Sequence, residues 1–194
     1  SRRVANDVVL ARATRALLIT GSNMSGKSTL LRAMGLATVL ALAGAPVTAG
    51  ALRLSRLSLC TSIRIADSLE RGVSHFYAEI TRLKEVVDAA RGDDPVLFLL
   101  DEILHGTNSR ERQVGARWVL AELLRQGAIG AISTHDEELC RLPEDLMDAV
   151  SLVHLRESVN DGKMTFDYRV YEGPVTSGNA LRLMRIVGLD VPLA

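Results

Sequence analysis

Gly21-Ser22-Asn23-Met24-Ser25-Gly26-Lys27-Ser28, directly after Ala16-Leu17-Leu18-Ile19-Thr20, decides the fold. The octet fits G-x-x-x-x-G-K-[ST], in which glycines let successive backbone N–H groups turn inward around an anion. The run before it is short and apolar, the signature of a buried strand. The residues after it read as helix from about Lys27 to Leu42, so the loop also has the positive end of a helix dipole. That context predicts a phosphate cradle over Gly21, Ser22, Asn23, Met24, Ser25, Gly26, Lys27, Ser28 and Thr29. Lys27 is placed to meet the β and γ phosphates of a nucleotide, and Ser28 to offer a hydroxyl to Mg²⁺.

Working outward, Val96 to Leu100 is a second fully apolar strand, ending on Asp101-Glu102. With a phosphate loop upstream, Asp101 is the expected Mg²⁺ ligand and Glu102 the group that activates the attacking water. Ala128 to Ser133 is a third such strand, followed by Thr134-His135. Parallel strands deliver their C-terminal ends to one ligand-binding edge, so His135 is expected to contact the γ phosphate.

The rest of the chain supplies the frame. Leu52 to Ile65 looks extended, with strands expected near Arg53 and near Ser62. A helix is predicted from Ser74 to Ala90, with Ser74 as its cap and Phe76, Ile80, Leu83, Val86, Val87 and Ala90 on one face. Another runs from about Arg110 to Arg125 and stops at Gly127. Ser151 to Val159 and Lys163 to Tyr171 flank Asn160-Asp161-Gly162 and predict a hairpin. A last helix is expected from Ser177 to Val187. Strands alternating with helices give an α/β class: a mainly parallel sheet flanked by helices, with an antiparallel hairpin at its edge.

Composition narrows the function. The 194 residues suit one domain, and 47% hydrophobic with 24% charged residues describes a globular chain. Lys plus Arg and Asp plus Glu are 23 each. A domain gripping DNA by its phosphates shows a basic excess, so any nucleic acid served is expected to be held elsewhere. The basic start (Arg2, Arg3, Arg12, Arg15) and the acidic stretch Asp136 to Asp148 read as solvated surfaces. Cys60 and Cys140 form no Cys-x-x-Cys and have no His at metal spacing, which fits free thiols in a reducing, cytoplasmic compartment. Ala33 to Leu52 is uncharged over about the length of a membrane span. Its second half, Gly44-Ala45-Pro46-Val47-Thr48-Ala49-Gly50, is loop chemistry, so helix and loop are expected, with no membrane contact. The chain starts without Met and is read as one domain, residues 1–194, excised from a longer parent.

With these elements placed, the chain resembles the ATPase domain of the MutS DNA mismatch-repair family, from about Val4 to Pro192. Thr20 to Thr29 resembles the family phosphate loop, in which Asn-Met precedes the last Gly-Lys-Ser; general phosphate binding does not demand Asn23 and Met24. Val4-Ala5-Asn6-Asp7, Leu42-Ala43-Gly44-Ala45-Pro46-Val47 and Gly72-Val73-Ser74-His75-Phe76-Tyr77-Ala78-Glu79-Ile80 resemble further family segments. So do Asp101-Glu102-Ile103 with Gly106-Thr107, Ser133-Thr134-His135 with Glu138-Leu139, and Ser177 to Ala180 with Val187 to Pro192.

The resemblance implies an ABC-ATPase-like P-loop fold, ATP and Mg²⁺ as cofactors, and hydrolysis of ATP to ADP and phosphate. It implies a homodimer paired head to tail through the ATPase face, with composite sites in which Ser74 reaches the partner's γ phosphate. It also implies DNA bound by parts of the parent outside this chain. Departures are specific. Leu104-His105 stands where the family has Gly-Arg, Asn108 stands for Ser, and Arg3 occupies a position where several members place an aromatic against adenine. Tyr168, on the second hairpin strand, is another ring available to the nucleotide, or a packing residue. The competing readings are an ABC or SMC/Rad50-type ATPase, whose Leu-Ser-Gly-Gly segment is missing, a P-loop kinase, whose arginine-rich lid is not recognisable, and a non-hydrolysing nucleotide-binding scaffold.

Overall fold

The apolar runs become strands because both of their faces are covered. A computed structural model describes residues 3–63, 75–160 and 163–174, together with 184, 185, 188, 189 and 191. In β1 (Ala16–Thr20), Ala16 and Leu18 face one core while Leu17 and Ile19 face the other. β3 (Val96–Asp101) repeats this, with Val96, Phe98 and Leu100 on one side and Leu97 and Leu99 on the other. A strand with two buried faces has no polar alternation to show, hence the continuous apolar sequence. Full burial of each such side chain contributes about 1.5–3 kcal/mol, so these strands anchor the fold.

Among the described residues the sheet has six strands in the order β2-β3-β4-β1-β5-β6. β2 (Ser58–Ser62), β3, β4 (Ile129–Ser133), β1 and β5 (Val150–Asn160) run parallel. β6 (Lys163–Glu172) pairs antiparallel with β5 and shifts register between Leu155 and Glu157. The mixed α/β architecture with an antiparallel edge hairpin is thus as the sequence predicts.

Helix α1 (Lys27–Leu42) lies on one face. Its buried positions Lys27, Leu31, Gly35 and Thr38 follow the helical period. A Cβ on Gly35 would stand 3.2 Å from Leu99 Cδ1, so the glycine sets how closely α1 approaches the sheet. The opposite face carries α2 (His75–Ala90) and α3 (Ser109–Arg125), which bury Leu83, Val86 and Val87 and Val119, Leu120 and Leu123. Asn108 caps α3 by accepting from Glu111 N at 3.0 Å, and Gly127 follows its end at φ 81°. A 3₁₀ turn (Glu137–Cys140) and the short α4 (Glu144–Met147) lead into β5.

One expected strand does not form. The residues around Arg53 make no ladder; Leu57 is buried and Leu54 half-buried against the α1-side core, and pairing starts only at Ser58, whose N–H reaches Pro95 O at 2.7 Å. The segment is a surface one that turns Leu54 and Leu57 toward the core and leaves Leu52 exposed. Asp161, Gly162 and Ser74 lie outside the described residues, as does most of the expected helix Ser177 to Val187, of which Met184 and Arg185 are helical. Cys60 and Cys140 are each half-buried. Among the described residues, no helix is long and apolar enough to cross a membrane.

Candidate functional site

The loop between β1 and α1 lies at the C-terminal end of the parallel strands, where β3 and β4 also end. Its shape depends on two glycines. Gly21 sits at φ 140°, and a Cβ there would stand 2.9 Å from both Leu155 O and Ser25 Oγ. Gly26 starts α1 at φ 108°, and a Cβ there would lie 3.1 Å from Tyr168 Cδ1. Met24, at φ 72°, is also left-handed, and both it and Asn23 are exposed. Ser28 is half-buried and Thr29 exposed. The first N–H groups of α1 have no partner within the helix. Ser25 Oγ is buried without a hydrogen-bond partner among the described residues, a polar atom left over inside the loop.

Lys27 is only 4% exposed. Its ammonium donates to Gly21 O at 2.8 Å and Ser22 O at 3.0 Å, and lies 3.1 Å from Glu102 Oε1. Ser22 Oγ donates to Glu157 on β5. Tyr168 borders the loop at φ 57° and is half-exposed; its C=O accepts from Asn6 Nδ2 at 2.9 Å, while Val170 N donates to Asn6 Oδ1 at 2.8 Å. Asn6 thereby ties the lead-in segment to β6.

Glu102 follows the tip of β3 in a left-handed conformation, φ 47°. Its N–H reaches both Ser133 O and Ser133 Oγ at 3.1 Å, and Ser133 Oγ donates to Asp101 Oδ1 at 2.5 Å. One serine on β4 therefore orients both acids. Burial pushes the Glu102 carboxyl up; the hydrogen bond and charge of Lys27, with His135 and His105, outweigh it and hold the group below the ordinary carboxylate value. His135 Nδ1 stands 3.5 Å from Glu102 Oε1, and His105 Nε2 3.2 Å from Glu102 Oε2. The two imidazoles stack with centroids 5.0 Å apart.

The loop after β3 is held from α2 and α3. Leu104, at φ 62°, is buried, and its N–H donates to the buried Glu79 carboxylate. A Cβ on Gly115 would strike Leu104 Cδ1 at 2.5 Å, and one on Gly106 would strike Phe76 Cβ at 2.7 Å. Beyond His135, Asp136 takes hydrogen bonds from Gln113 and Arg112 of α3.

Lys27, Glu102 and His135, expected from sequence to act together, are in contact, and Asp101 is one residue away on β3. Tyr168 reaches the loop. Arg3 is exposed. Ser74 lies outside the described residues. Sequence reading missed the contact made by His105, and the supporting roles of Ser133, Glu79 and Asn6. His105 stands out in sequence only as a departure at the second residue of Leu104-His105. Against known families, the model of MutS domain V matches residues 17–192.

Proposed function

We propose that this chain, which belongs to the MutS family as its C-terminal ATPase domain, binds ATP with Mg²⁺ at the loop from Gly21 to Thr29 and hydrolyses it to ADP and phosphate. One observation carries the reading: the buried Lys27 ammonium and the Glu102 carboxylate lie 3.1 Å apart, where the phosphate loop meets the tip of β3. In this reading Lys27 is the cation for phosphate and Glu102 the base for water. The strand order, the loop after β1 and the acids after β3 support a P-loop fold of the ABC-ATPase-like kind.

The unpartnered Ser25 hydroxyl and the loop's free N–H groups suit phosphate oxygens. Lys27 moves from the Gly21 and Ser22 carbonyls to the phosphates. Ser28 and Asp101 hold Mg²⁺, which when bound offsets phosphate charge. Glu102, released from Lys27, takes a proton from the water whose oxygen attacks the γ phosphorus; the bond to the β–γ bridging oxygen breaks and ADP leaves. His135 turns an N–H to the γ phosphate. Tyr168 lines the nucleotide beside Gly26. Following the family pattern, Ser74 completes the partner's site in a homodimer, and DNA is held by other parts of the parent protein.

Glu102→Gln tests this. Mg-ATP should still bind, within a few-fold of wild type, while the single-turnover rate falls by about 10²-fold or more, the scale of general-base catalysis. A wild-type rate in that variant would overturn the assignment.

A further inference from the structure

We propose that Glu102, His105 and His135 form a site for a divalent transition-metal cation of the zinc class, separate from the Mg²⁺ site, which switches hydrolysis off. Each offers one donor atom, and all three atoms lie within 4.8 Å of one another. His105 Nε2 is 3.2 Å from Glu102 Oε2 and His135 Nδ1 is 3.5 Å from Glu102 Oε1. A zinc ion about 2.0–2.2 Å from each ligand needs tetrahedral donor separations of about 3.3–3.5 Å. The two short separations are to different oxygens of Glu102, so the carboxylate and an imidazole must rotate to bring all three donors from within 4.8 Å to that spacing.

The donor chemistry selects the ion. Two imidazoles and one carboxylate match zinc and its neighbours, whereas Mg²⁺ takes oxygen donors. Both arms are fixed in advance. His105 lies between Leu104, bonded to Glu79, and Gly106, packed on Phe76. His135 lies between Thr134, whose N–H donates to Ile19 O at 2.9 Å, and Asp136, held by α3. The histidine side chains are 38% and 40% exposed, which gives an ion entry from solvent and leaves its fourth position to water.

The consequence for activity rests on the role proposed above for Glu102. A metal on this carboxylate occupies the electron pair that must accept the water proton, and breaks the contact with Lys27. It also takes the nitrogen of His135.

Nucleotide-free protein should be titrated with zinc alone by calorimetry, and with Co²⁺ followed by its visible absorption. One ion per chain is expected, with a tetrahedral cobalt spectrum. His105→Ala should weaken zinc by about tenfold or more, since even outer partners of metal ligands cost that much. Cys60→Ser with Cys140→Ser should leave binding unchanged. Inhibition should be read in each protein as the ratio of its rates with and without zinc, so that any effect of losing the His105 contact with Glu102 on the zinc-free rate divides out. With zinc, wild type should lose turnover, regain it with a zinc-selective chelator, and be inhibited far more than His105→Ala. Zinc binding that survives His105→Ala, or that needs the cysteines, overturns the site. Tight, His105-dependent binding with undiminished turnover leaves the site standing and overturns instead the switch and the reading of Glu102 as base.

Discussion

Gly21→Ala is the sharpest test of how the loop is built. The residue sits at φ 140°, and the new Cβ would meet Leu155 O and Ser25 Oγ at 2.9 Å. One of these is backbone of a parallel strand and the other is enclosed, so neither can swing aside cheaply. Backbone strain at such a φ costs about 1–3 kcal/mol, and forcing a methyl into a packed place about 1–3 kcal/mol more. The sum, roughly 2–6 kcal/mol, must be met either by unfolding or by a displaced loop. In the second case nucleotide affinity falls by about 30-fold or more, at about 1.4 kcal/mol per factor of ten. Gly26→Ala is the graded comparison: its φ is also positive, but its Cβ meets a movable ring carbon of Tyr168 at 3.1 Å. Gly44→Ala is the control, with φ 72° and nothing within 4 Å, so it should cost stability only. Fluorescent-nucleotide titration beside thermal melts separates the two effects. Wild-type affinity and melting temperature in Gly21→Ala, or equal affinity losses in all three variants, would refute the argument.

Lys27→Ala should abolish tight Mg-ATP binding, read by the same titration; unchanged affinity would contradict the phosphate-loop assignment. If Ser74 serves the partner's site, activity per chain should rise with protein concentration, and a Lys27→Ala chain mixed with a Ser74→Ala chain should regain part of it; no recovery on mixing counts against composite sites. Acid stability follows from paired carboxylates. Hydrogen bonds from Arg91 and Gln126 hold Glu122 low; burial raises Asp136, but Gln113, the Glu138 N–H and Arg112 bring it below its usual value. Because both are depressed in the folded state, their contribution is present above about pH 4 and is lost as the pH falls through the lowered values. Urea midpoints should therefore hold from about pH 7 to 5 and decline below about 4; a decline beginning on the alkaline side would show that other groups govern it.

Much of this was legible in the sequence because both faces of the central strands are covered. Ala16 to Thr20, Val96 to Leu100 and Ala128 to Ser133 had to be apolar throughout, and each ends on a polar residue of the site. Other features had no local sign. The Leu52 to Leu57 stretch alternates as a strand does, yet Leu54 and Leu57 turn to the α1-side core, Leu52 stays exposed, and the segment joins no ladder among the described residues. His105 gave no signal as a ligand, because its meeting with His135 depends on two loops brought together by the β3–β4 register. Leu104 in a left-handed conformation reads as an error of local chemistry until its burial against Gly115 and its bond to Glu79 are seen. Such a φ costs a leucine about 1–3 kcal/mol, which burial of a side chain that size can offset.

The lysine of the phosphate loop is already saturated. Its ammonium has three protons, and Gly21 O, Ser22 O and Glu102 Oε1 surround it. An arriving anion thus meets a charge whose partners it must replace. The free energy of displacing two carbonyls and a carboxylate is subtracted from whatever affinity the phosphates gain at the loop. On the function proposed above, the ligand that takes the lysine also unlatches the Glu102 carboxylate, so the base is released by the ligand on which it acts.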